Sequence, residues 1–169
     1  MVVKNVFQRL GKSEASDEVR GGLKSGKLKE NWREDLEYRK RLIRIIKGNN
    51  YEKAEEKAAI WIEGWIEEKD QKDLRVVKSD ENSMWVECRY IALKERIMEC
   101  KWEMRQRDWY RLDDVMTEAE RKKRYKVEEY AAGIKVTGTI IKREWDKIRI
   151  NKNLYGWDEK RQEIYAVKE

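Results

Sequence analysis

Between Ser83 and Trp109 the apolar positions recur in two registers. Val86, Tyr90, Leu93, Ile97, Cys100 and Met104 alternate steps of four and three, which on a helix turning about 100° per residue keeps them within roughly 40° of one line. Met84, Ile91, Met98, Trp102 and Trp109 recur at seven and four and fall together about 140° away. The spacing predicts one long central helix over residues 83–109 with two apolar stripes. Glu87, Lys94, Lys101 and Arg105 lie between the stripes, and the other charged residues form the wet side. Each stripe needs cover. The one made of Met84, Ile91, Met98 and Trp102 is a candidate self-association surface, because adaptable Met and amphipathic Trp suit a second copy or a partner.

Upstream, Trp32, Leu36, Leu42, Ile43 and Ile46 predict a first helix over 32–47, opened by Asn31 and Glu34 at capping-box spacing. Gly48-Asn49-Asn50 is a short connection, so a second helix over 51–69, with Tyr51, Ala54, Ala58, Trp61, Ile62, Trp65 and Ile66, is expected to return antiparallel. Leu74 to Lys78 is a short Val-rich run that reads as an edge strand. Tyr110 to Met116 loses periodicity. Thr117 with Glu120 repeats the capping box, and the helix it opens should end before Gly133. From Ile134 the period becomes two, with β-like runs at 134–140, 145–150 and 162–167, a bend at Gly138, and turns at Asn151-Lys152-Asn153 and 157–160. Helices first and strands last predict an α+β fold: an N-terminal helical hairpin and long central helix, then a C-terminal antiparallel β meander of about three strands.

The ends modify this layout. Val2, Val3, Val6, Phe7 and Leu10 gather on one side of a short amphipathic segment, a candidate membrane or partner anchor. Gly11 to Glu30 carries little apolar surface and reads as a flexible basic linker. The organisation expected is therefore residues 1–30 as anchor and linker, and 31–169 as a single globular α+β domain.

Composition narrows the chemistry. The chain has 169 residues, 44% of them charged, eight Trp and no His. Without His, the Ser-His and Cys-His nucleophile pairs and the usual general base near neutral pH are excluded. Cys88 and Cys100 stand about 18 Å apart on the predicted helix, too far to bond to one another, and read as reduced thiols with no structural metal or cofactor. No apolar run approaches the roughly 20 residues that cross a bilayer, and the N-terminus lacks the apolar core of a signal peptide. The expected location is intracellular, cytoplasmic or nuclear, with peripheral membrane attachment as the alternative and secretion excluded.

Charge carries the functional expectation. Residues 121–152 hold eleven Lys/Arg against four Asp/Glu, more than the whole excess of +6. Arg121, Lys122, Lys123, Arg124, Lys126, Lys135, Lys142, Arg143, Lys147, Arg149 and Lys152, with Trp145 among them, form a candidate polyanion site, and Trp145, Tyr155 and Trp157 are of the type that stacks on unpaired bases. Lys122-Lys123-Arg124-Tyr125-Lys126 also fits a Lys-Lys-Arg-x-Lys nuclear-address pattern. The leading expectation is a non-enzymatic basic protein that binds RNA or single-stranded DNA. The alternative is a membrane-apposed, self-associating structural protein. Its layout is similar in outline to small matrix or accessory proteins of viruses, in arrangement and without a shared motif. A minor alternative, a metal-dependent nuclease, would use Glu144, Asp146, Lys147, Asp158 and Lys160.

Overall fold

The computed structural model describes residues 24–47, 54–134 and 136–169. The proposed anchor residues Val2, Val3, Val6, Phe7 and Leu10, the connection at 48–50 and Lys135 lie outside them. The fold is mixed α+β, and the chain divides into two compact units, residues 1–115 and 116–169.

In the first unit, β1 (Lys24–Ser25), β2 (Leu42–Lys47), β3 (Leu74–Ser79), β4 (Ser83–Cys88) and β5 (Tyr110–Asp114) form one sheet in the order β1-β3-β4-β2-β5. β1 runs parallel to β3, and the other neighbours are antiparallel. The helices are α1 (Leu36–Arg39), α2 (Ala54–Trp65), α3 (Glu68–Gln71), α4 (Ile91–Glu99) and α5 (Lys101–Asp108). β1 falls within the stretch expected to be linker, and Gly26 beyond it donates its amide to the Val76 carbonyl at 2.8 Å.

Two expected helices are corrected. Residues 32–47 do not form one helix: Asp35 caps the four-residue α1 through the Tyr38 amide, and the chain then extends as β2 between β4 and β5. Three of the five residues in Leu42-Ile43-Arg44-Ile45-Ile46 are β-branched isoleucines, and such residues lose side-chain freedom in a helix but fit a pleated sheet. With β2 a strand, the expected helical hairpin is absent, although α2 itself lies within the predicted second helix. The long central helix is also shorter than expected. Its first six residues are β4, whose Met84, Val86 and Cys88 join the main core while Trp85 joins a second cluster on Tyr38, Leu42, Val77 and Val115. A strand apolar on both faces mimics a helix apolar on two. The rest divides into α4 and α5 at Cys100, and α5 ends where Trp109 turns left-handed at φ 64°. β3 bears out a short strand at 74–78 but not its expected place at the edge, since it lies between β1 and β4, whereas β5 occupies the stretch that showed no periodicity.

The main core gathers Ile43, Ile45, Trp61, Ile62, Leu74, Val86, Leu93 and Met104 from both strands and helices. Lys94, almost wholly buried, sits 2.7 Å from the Asp114 carboxylate, so its charge enters the core paired.

The second unit is simpler. α6 (Glu118–Ala132) starts at Thr117, whose hydroxyl accepts from the Glu120 amide while the Glu120 carboxylate accepts from the Thr117 amide: both halves of the capping box are present. An antiparallel meander follows, β6 (Ile141–Glu144), β7 (Lys147–Ile150), β8 (Asn153–Asp158) and β9 (Glu163–Ala166), adjacent in chain order. It has four strands where about three were expected, and its first strand starts at Ile141, not at Ile134. Gly138 turns the chain at φ 89° before it, as its position suggested. Val127 and Ala131 of α6 pack on Ile148 and Ile150, with Ile134, Tyr155, Trp157 and Ile164 against them. Gly156 on β8 makes room for the Tyr165 ring: a Cβ there would stand 2.7 Å from it and force that ring to move.

Candidate nucleic-acid interface

α6 turns its apolar positions to the meander and leaves a charged face. Glu118, Arg121, Lys122, Tyr125 and Lys126 follow at steps of three and one, the spacing of a single helix face. Opposite them stand Trp157 at the end of β8, then Glu159 and Gln162 from the β8–β9 turn, and together they line an open cleft of about 270 Å³. Three cations, two carboxylates and two aromatic rings thus share one cavity.

The walls differ in rigidity. The Trp157 ring packs partly on the core, its Nε1 donates to Glu159 Oε2 at 3.1 Å, and Lys126 Nζ lies 5.1 Å from its ring centre. Gln162 Nε2 donates to the Glu159 carbonyl at 2.6 Å and reaches Glu159 Oε1 at 3.5 Å, so two donors orient that exposed carboxylate. Tyr125, by contrast, is 66% exposed. Lys122 meets Glu118 at 3.6 Å in an exposed i,i+4 pair, the kind worth about 0.3–0.5 kcal/mol and readily exchanged for another anion. Arg121 leans on the Met116 carbonyl at 3.3 Å.

The other expected site residues are dispersed. Arg124 Nε donates to the Trp145 carbonyl at 2.7 Å, and Trp145 Nε1 donates to Glu120 Oε2 at 2.7 Å. These bonds tie the β6–β7 turn to α6 and hold Trp145 left-handed at φ 57°, a conformation that costs a non-glycine residue roughly 1 kcal/mol or more. Lys123 is half-buried on α6, and Lys142 and Lys152 are exposed on β6 and in the β7–β8 turn. Arg143 pairs with Glu128, and Lys147 lies 3.1 Å from Asp146. Arg149 is gripped by Glu169 and Glu144, bonds that hold its pKa above the ordinary arginine value and, reciprocally, hold the Glu169 carboxyl below its own. Of the proposed set, then, the cleft brings together Arg121, Lys122 and Lys126.

The four residues of the proposed self-association stripe do not share one face. Met84 is buried in β4, Met98 packs against the core, and Ile91 and Trp102 are exposed on α4 and α5. Trp102 on α5 and Trp109 just past its end are both 67% exposed, while Met104 between them is buried. The carboxylates of the nuclease alternative are also separate in their roles: Glu144 holds Arg149, Asp146 meets Lys147, and Asp158 accepts the Lys160 and Arg161 amides in the β8–β9 turn. Among the described residues no three acidic or thiol side chains cluster as metal ligands do, and no helix is long and apolar enough to cross a membrane.

Tyr125, Glu118, Glu159 and Gln162 were absent from the sequence-derived site. The helix face was legible in the spacing of 118, 121, 122, 125 and 126, but the opposite wall depends on a β8–β9 pairing that links Trp157 to Ile164. No protein-family model, curated protein or solved structure matches the chain.

Proposed function

We propose that the protein is a non-enzymatic binding module for single-stranded nucleic acid, which it takes in the cleft between α6 and the β8–β9 turn. The observation that supports this reading is the convergence of Arg121, Lys122 and Lys126 with Tyr125 and Trp157 around one cavity. Cations attract the phosphate backbone, and an exposed ring offers a stacking platform to any base. An open cleft of about 270 Å³ is on the scale of one unpaired base and its phosphate. The test is anisotropy of a labelled eight-nucleotide RNA and of the matching duplex at two salt concentrations. Binding to the single strand that weakens with salt, and weakens further in Lys122→Glu with Lys126→Glu, is the expected result. No salt-dependent binding to the single strand would refute the reading.

A second reading, a self-associating protein apposed to a membrane, is favoured by the exposed Trp102 of α5 and Trp109 just past its end. Light scattering of the Trp102→Ser, Trp109→Ser variant beside the parent chain tests it. A monomeric parent that ignores anionic vesicles ends it.

A further inference from the structure

We infer that the cleft distinguishes between bases and favours guanine, with Glu159 as the group that reads it. This rests on the nucleic-acid reading of the same cleft and adds a ligand preference to it. An ionised carboxylate only accepts hydrogen bonds, so it attracts base edges that carry N–H donors and repels those that present carbonyl oxygens. Glu159, itself exposed, is the carboxylate with two side-chain donors to orient it: Trp157 Nε1 donates to one oxygen at 3.1 Å, and Gln162 Nε2 stands 3.5 Å from the other. Each oxygen keeps lone-pair capacity beyond that single contact. Glu118, the other carboxylate lining the cleft, is 86% exposed and engages only Lys122 by an ion pair of 3.6 Å, so it lacks the fixed geometry that recognition requires.

The bases differ on the edge that pairing leaves open in a single strand. Guanine presents N1–H and an N2 amino group side by side, a match for two carboxylate oxygens. Adenine and cytosine present one amino group next to an acceptor nitrogen. Uracil presents one N–H between two carbonyl oxygens. With the phosphate held at the rim by Arg121 and Lys122 and the base resting on the exposed Tyr125 ring, the edge of the base is the part left to meet the β8–β9 turn. The order of affinity that follows is guanine, then adenine and cytosine, then uracil.

The test uses the full chain and four labelled RNA octamers, seven uridines with one central G, A, C or U. The octamer with guanine is expected to bind about tenfold tighter than the all-uridine strand, the discrimination ordinarily supplied by a good two-bond contact. In Glu159→Gln, which keeps an acceptor for Trp157 Nε1, the preference for guanine should vanish while the all-uridine affinity stays within about twofold or rises. Tyr125→Ala should weaken all four octamers together, because stacking does not depend on base identity. Equal, salt-sensitive affinities for the four strands would overturn the guanine assignment and leave the nucleic-acid reading standing. Binding to none of them would remove both.

Discussion

Cys88 and Cys100 stand twelve residues apart and meet opposite surroundings. Cys88 is buried at the end of β4, where desolvation pushes its thiol up from 9.0 to about 12, while Cys100 is exposed at the joint between α4 and α5. Burial raises the Tyr38 hydroxyl in the same sense, to about 12. A raised acid pKa favours the protonated folded form: the contribution is complete below the unfolded pKa and is lost as pH rises towards the folded one. Stability should therefore fall between about pH 9 and 12. Denaturant midpoints across that window are expected to drop less steeply in Cys88→Ala than in the parent chain, a difference on the order of a few kcal/mol at its upper end. Parallel pH profiles would show that the Cys88 thiol plays no part. The sequence placed both cysteines on one helix and expected reduced thiols in each; it had no means to show that the first belongs to a central strand, because burial on two faces comes from long-range pairing.

At the scale of elements, the capping box is the feature that carried over intact. Thr117 and Glu120 satisfy each other's amides at the start of α6 as their spacing required, and the helix closes before Gly133. Such a signal is local, so it can be read without knowing the fold. Thr117→Ala removes the side-chain acceptor of the Glu120 amide and should cost about 1 kcal/mol. The loss should fall on α6 and its partners Ile148 and Ile150, measured as faster amide exchange there and as a lower denaturation midpoint. Thr117→Ser, which keeps the hydroxyl, should recover most of it. The strands behaved otherwise. Ile43 faces Val86 and Ile45 faces Met84 across β2 and β4, contacts that bridge about forty positions of sequence. Both segments read as helical because apolar residues at mixed spacings, Leu and Ile in β2 and Met, Trp and Val in β4, satisfy either period over so few residues. Half of the cleft was legible for the same reason that the box was: its cations follow one helix face. The half made by Trp157, Glu159 and Gln162 depends on how β8 and β9 pair.

At the scale of the whole molecule the two units carry unequal cores. Among the described residues the first gathers sixteen buried apolar residues in its main cluster and a further five, Tyr38, Leu42, Val77, Trp85 and Val115, in a second, whereas the second unit rests on Val127, Ala131, Ile148 and Ile150. At roughly 1.5–3 kcal/mol for each large apolar side chain fully buried, the smaller cluster gives the second unit much the lower resistance to opening. It also lacks a strand buried on both faces of the kind β4 provides, and its β6 and β9 are largely exposed. Because the three clusters share no residue, the units are expected to open at different free energies. Hydrogen exchange of the full chain, followed residue by residue through rising denaturant, should show amides of α6, β7 and β8 losing protection at concentrations where β2 and β4 still hold it. The cleft belongs wholly to the second unit, so a nucleic acid bound there should delay that first loss and leave the second unmoved. A single opening free energy shared by all five elements, raised equally by ligand, would mean that the chain unfolds as one cooperative body and that the division into two cores has no thermodynamic counterpart.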